Sequence, residues 1–174
     1  MTRKEYKEIL NYELYGDRQL SFLSRFRIKY FQPNTNCIYL ARKMWYRYQS
    51  GGGQRLFSKL LYLKILHRYG CIIYANIKVG RGFHIAHPVG IVIGRCEIGE
   101  DFTVYQNTTI GVQHPGDEVK GLWPHIGNRV RLATGSIVLG DITICDDVLV
   151  GANSLVINDI TEAGTYVGSP VRKI

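Results

Sequence analysis

The sequence predicts a β-solenoid of hexapeptide repeats preceded by a small α-helical region. Two observations carry this: an aliphatic residue that returns every six positions over most of the second half, and a change in both charge and periodicity near residue 70. From Ile73 the anchors are Ile73, Val79, Ile85 and Ile91. A one-residue slip leads to Val92, Ile98, Val104 and Ile110. After a break come Ile126, Leu132, Val138, Ile144, Val150 and Val156 in unbroken register. Four residues after each anchor of this last block stands a second small or aliphatic residue: Val130, Ser136, Ile142, Val148, Ser154 and Ile160. Six is neither a helical nor a simple strand period, and a sustained short repeat marks a solenoid. Each hexad supplies one short strand and one turn, and three hexads close a triangular coil. Anchors then stack on anchors one coil away, about 4.8 Å along the axis. Glycine after the anchor, as in Ile98-Gly99 and Ile126-Gly127, suits the turns.

Residues 1–70 read as a helical region and 71–174 as the solenoid. Arg3 to Tyr15 is rich in helix formers. Pro33-Asn34-Thr35-Asn36 reads as a turn, followed by a helix from Cys37 to Tyr46 that Ser50-Gly51-Gly52-Gly53 stops. A further helix, Phe57 to Tyr69, ends at Gly70; Leu60, Leu61, Leu63, Ile65 and Leu66 make it apolar nearly all round, which predicts that it is buried or packed against a neighbour. Within the solenoid, residues 111–125 interrupt the repeat with three glycines and two prolines. A loop of that length on a rigid scaffold is a place to look for function.

Charge divides the chain in the same place. The formal net charge is +8, with 14 Lys/Arg and 4 Asp/Glu in residues 1–70 and 8 and 10 in residues 71–174. A basic, aromatic surface can meet nucleic acid or an anionic membrane face. The reading adopted is a solvated helical face over an aromatic core with no nucleic-acid partner; peripheral contact with the inner membrane face through the N-terminal region is the alternative. No apolar run reaches the ~18–20 residues of a membrane span. The charged start MTRKEYKEILNYELY does not read as a secretory signal, so a cytoplasmic location is expected. The four cysteines lack C-x-x-C spacing and read as free thiols.

Three segments carry a resemblance. Val79-Gly80-Arg81-Gly82 with Ala86-His87-Pro88-Val89-Gly90-Ile91-Val92-Ile93-Gly94, then Gln106-Asn107-Thr108-Thr109-Ile110-Gly111, then Gly168-Ser169-Pro170-Val171-Arg172, together resemble the serine acetyltransferase branch of the hexapeptide-repeat acyltransferases. The resemblance spans residues 73–174. It implies a left-handed parallel β-helix with a C-terminal cap, a homotrimer, and acetyl-CoA as co-substrate with no metal. It makes His87 the general base, a role that suits an imidazole. It places Gly111, Val112, Thr134, Gly135 and Ala152 along the pantetheine arm, and Arg172 and Lys173 near the nucleotide phosphates. His84, His114, Trp123 and His125 are candidates for acceptor contact.

The departures bear on the acceptor. Serine-specific members have Asp before the catalytic His, where this chain has Ala86. They have a second Asp where this chain has Ile72, and a His before the loop proline where it has Trp123. A free amino acid brings two charges that need partners when buried. The pattern His-Pro-x-Gly-Ile-Val-Ile is closest to O-acetyltransferases of bacterial capsule and exopolysaccharide synthesis. The preferred acceptor is therefore a sugar hydroxyl, free or lipid-linked. The alternatives are a serine O-acetyltransferase with a rebuilt pocket, a metal enzyme resembling the γ-class carbonic anhydrases, and a non-catalytic trimeric binding module.

Overall fold

A computed structural model describes residues 1–174. Four helices lead into a stack of short parallel strands. Helix α1 (Arg3–Tyr15) opens on a capping box between Thr2 and Glu5. Helix α2 (Phe22–Phe31) starts at Ser21, whose hydroxyl accepts from the Ser24 N–H. Helices α3 (Pro33–Gln49) and α4 (Gln54–Tyr69) pair as a hairpin around Ser50–Gly53, and α4 stops at Gly70 in the left-handed region (φ 62°).

One sequence expectation for this region changes and one helix is added. Pro33-Asn34-Thr35-Asn36 is not a separate turn but the first turn of α3, because proline fits the first helical position, where no N–H bond is needed. Helix α4 is packed against a neighbour, the second of the two expectations: Ile65 and Ser58 face α3 and the first coil, while Leu56, Phe57 and Leu60 stay exposed. Helix α2 was not expected, since its apolar residues form no core-facing stripe; Ile28 alone is buried.

The solenoid follows the hexads. Strands β1 (Ile72–Ile73), β4 (Val92–Ile93), β7 (Thr109–Gly111), β10 (Ile137–Leu139) and β13 (Leu155–Val156) stack as face A. Strands β2 (Lys78–Val79), β5 (Glu97–Ile98), β8 (His125–Ile126) and β11 (Thr143–Ile144) make face B. Face C holds β3 (His84–Ile85), β6 (Thr103–Val104), β9 (Arg131–Leu132), β12 (Val148–Val150) and β14 (Gly164–Gly168), with β15 (Val171–Lys173) returning antiparallel as a cap. All other pairings are parallel, as a coil that always winds one way requires. The anchors of the last block, Ile126 to Val156, are all buried, as are their six companions from Val130 to Ile160.

The slip near residue 91 is more specific than a single residue. Ile73 pairs with Ile93 and Ile93 with Ile110, so Ile93 is the second-coil anchor of face A rather than Val92. The C-to-A turn from Ile85 to Ile93 spans eight positions, against six from Val104 to Ile110 in the next coil. The two extra residues lie in the segment that carries His87. One residue is then dropped between Ile93 and Ile98, which leaves a net slip of one.

The helices close the open end of the stack. Trp45 donates to the Tyr74 carbonyl (2.9 Å) and meets Phe83 edge-on. Arg42, 3% exposed, binds Glu13 of α1 in two-pronged fashion and donates to the Val79 and Gly80 carbonyls, and Glu13 accepts from the Phe83 N–H.

Candidate active site

The turn from face C to face A recurs in every coil, and these turns pile into one edge of the prism. His87 lies there, exposed, because Pro88 is buried beneath it and the longer turn bulges outward. The Val89 N–H donates to the His87 carbonyl (2.9 Å), which closes the bulge. One coil further on, Tyr105 meets the imidazole edge-on with centroids 6.5 Å apart. Thr134, Gly135 and Ala152 occupy the same edge in the following coils. The hydrogen bonds Asn107 N–H to Val89 O (2.9 Å), Gly135 N–H to Gln106 O (3.1 Å) and Asn153 N–H to Thr134 O (2.9 Å) stitch the edge together. Gly135 has φ 70°, and a Cβ there would overlap the Asn153 Oδ1. His87 and three of the residues expected along the pantetheine arm are thus in one line.

The loop leaves the solenoid at the opposite border of face A. It contains a short helix, α5 (Asp117–Lys120), which the sequence did not foretell. Asp117 holds it by accepting from the His114 N–H (3.0 Å) and pairing with Lys120 (3.2 Å). Beneath the loop is a cavity of about 410 Å³ lined by Ile72, Val92, Arg95, Val112, His114 and Leu139, with Gly111 at its wall. Trp123 stands beside it, with the Arg95 guanidinium over its ring, 4.4 Å from the centroid. Gly111, Val112 and His114 therefore line one cavity, with Trp123 reached through Arg95, and that cavity is separated from His87 by the width of face A. One subunit does not bring the two halves together.

The other candidates are placed elsewhere. His125 is on β8 of face B, 3.9 Å from Glu97, over an open depression of about 500 Å³ that has no relation to the His87 edge. His84 is on face C, where it borders a hollow with Tyr12, Asp17 and Asp101; partial desolvation lowers its pKa. Arg172 is exposed on the β15 hairpin, and Lys173 is paired with Glu162 (2.8 Å), which raises the lysine pKa.

Two residues in these places had no role assigned from sequence. Arg95 belongs to no motif, and only the fold brings it over Trp123. Gln106 could have been found by counting one coil forward from His87. Its Oε1 is buried with no hydrogen-bond partner, on the edge shared with Thr134 and Gly135. A buried acceptor without a donor is costly. Amide N–H groups, such as those of a pantetheine arm, are what this edge lacks, so its residues fit that ligand.

The stack and its helical cap define a class by architecture: a left-handed parallel β-helix, shared with solved serine acetyltransferases. The soybean apoenzyme superposes with a TM-score of 0.80 at 23% identity, covering 98% of this chain and 69% of that one. The enzyme of Neisseria gonorrhoeae gives 0.81 at 22%, covering 99% and 67%. Among curated proteins, the serine acetyltransferase of Helicobacter pylori is 42% identical over 107 residues, 60% of this chain and 61% of its own length. That of Staphylococcus xylosus is 42% identical over 102 residues, 58% and 46% respectively. The chain thus spans about half to six-tenths of the length of the curated relatives it matches. No family model matches it. These curated relatives carry the name of the serine-acetyltransferase alternative rather than that of polysaccharide enzymes, while the solved structures bear on the fold.

Proposed function

We propose that this chain is an acetyl-CoA-dependent O-acetyltransferase with His87 as general base. The observation that carries the proposal is the line of His87, Gln106, Thr134, Gly135 and Ala152 along one edge, an exposed imidazole at the end of a track lined by small side chains and an orphaned acceptor. In the reaction, His87 takes the proton of the acceptor hydroxyl as its oxygen attacks the thioester carbon. The C–S bond breaks, and the imidazolium returns the proton to the leaving thiolate. Backbone N–H groups hold the oxyanion between these steps. Because the loop cavity lies across face A from His87, the working site is formed between copies, with the Gly111–Trp123 wall of one subunit set against the His87 edge of the next. A homotrimer supplies three such clefts.

L-serine is the acceptor best supported by the similar proteins. A sugar hydroxyl is the second reading. It is favoured by the apolar wall of Ile72, Val92, Val112 and Leu139, and by Trp123 and Ala86 where charge partners for an amino acid would be expected. An acceptor screen with labelled acetyl-CoA decides between them: turnover of L-serine above every sugar supports the first, and the reverse order supports the second. In the same screen His87→Ala should lower kcat by roughly a hundred- to ten-thousandfold while acetyl-CoA binding, measured by calorimetry, persists. Near-native turnover in that variant would remove His87 from the mechanism.

A further inference from the structure

Helix α2 is built the wrong way round for a helix that serves only the core. At about 100° per residue, Phe22, Phe26, Tyr30 and Leu23 fall within about 100° of arc, and Ile28 lies on the opposite side. The structure buries Ile28 and turns the aromatic arc outward: Phe22 is 85% exposed and Leu23 66%, with Phe31 at the helix end 71%. Arg27 borders the arc on one side, and Arg25 and Lys29 on the other. Arg25 and Lys29 rest over the Tyr15 and Tyr39 rings, so they flank the ridge without neutralisation.

Along the sequence, the chain carries one sign of charge from just before α2 to the second coil. From Arg18 to Cys96 the chain has 14 Lys/Arg and no Asp or Glu. The ion pairs of the protein engage Arg42, Lys78, Lys120, His125, Arg129 and Lys173, and none involves α2. Exposed aromatic and aliphatic side chains between flanking cations match the interface of an anionic bilayer, where rings enter the headgroup boundary and cations meet the lipid phosphates. No helix is long and apolar enough to cross a membrane, so the contact would be lateral. A second copy seated on the same ridge would set Arg25, Arg27 and Lys29 against their own images, and residues 18–96 of that copy hold no carboxylate to answer them.

We infer that the Phe22–Leu23–Phe26 ridge of α2 docks the protein on a membrane surface rich in anionic phospholipid. The test is sedimentation of the full chain with vesicles of phosphatidylglycerol and phosphatidylcholine, against phosphatidylcholine alone. The wild type should sediment with the anionic vesicles only, and less as salt is raised. Phe22→Ser with Leu23→Ser should weaken binding at least about tenfold. Arg25→Gln, Arg27→Gln and Lys29→Gln together should weaken it on the order of a hundredfold. The serine variant should keep the wild-type melting temperature, and both variants the wild-type oligomeric mass. Phe22→Trp should shift its emission to the blue when anionic vesicles are added. The proposal is overturned if the wild type ignores anionic vesicles or if the serine variant binds undiminished. A lower oligomeric mass in the serine variant would also overturn it, by assigning the ridge to a second copy.

Discussion

His87 owes its exposure to a local irregularity, the two residues by which its turn exceeds the turn of the next coil, and Tyr105 backs its ring from that coil. Its position was legible because the motif around it is contiguous in sequence. Arg95 was not, because its neighbour Trp123 is 28 residues away and the two meet only when the loop folds back over face A. Arg95 borders the loop cavity and is paired with no carboxylate, while Glu118, also at the wall, is engaged by the Gly116 N–H. A guanidinium held over an indole in such a cavity is suited to an anionic group on the acceptor, such as the carboxylate of serine. Arg95→Ala should raise the KM for the acceptor by about tenfold or more, the worth of one charge-assisted hydrogen bond, and leave the KM for acetyl-CoA unchanged. Equal rises in both constants would show that the substitution disturbs the loop rather than acceptor binding.

At the scale of elements, the solenoid strands were readable and the helical packing was not. A hexad repeat states which residue points inward, so the anchors from Ile126 to Val156 are assignable to the core from sequence. Nothing comparable marks Arg42, a cation in a helix, as the residue that ties α1 and α3 to the first coil. Its guanidinium reaches Glu13, Val79 and Gly80 at 3% exposure, and the Glu13 side chain is fully covered. Burial raises the Glu13 pKa, opposed by the Arg42 charge and the Phe83 N–H. Removing one partner strands the other charge in the interior, so Arg42→Ala should cost about 3–5 kcal/mol in urea unfolding. Replacing both, Glu13→Gln with Arg42→Met, should cost less than the single change, because no charge is left unmatched. A single-variant loss below about 1 kcal/mol, the range of exposed pairs, would mean that water reaches the site.

Over the whole molecule, the helices close the stack at one end and the β14–β15 hairpin closes it at the other, while the B-to-C edge carries a ladder of polar side chains across three coils. Asn128 accepts from the Glu100 N–H (2.8 Å), and Asp146 accepts from both the backbone and the side-chain amide of Asn128 (2.7 and 2.9 Å). Arg129 lies in the left-handed region (φ 55°), unusual for so bulky a residue, and Asp147 grips it through two bonds of 2.7 Å. The backbone and side-chain N–H groups of Asn128 hold the Asp146 pKa below its ordinary 3.8, and Arg129 does the same for Asp147. With folded values depressed, the unfolded chain takes up protons first as pH falls. The ladder therefore contributes fully above pH 3.8 and progressively less as pH drops through the folded values. The melting temperature of the wild type should fall more steeply below pH 3.8 than that of Asp146→Asn with Asp147→Asn, since every other carboxylate is common to the two proteins. At neutral pH the variant should be the less stable of the pair, because neutral amides no longer hold Arg129 in its strained turn by charge. Parallel melting curves across the acid range would mean that coil stacking rests on the aliphatic anchors alone and that the polar edge adds nothing to it.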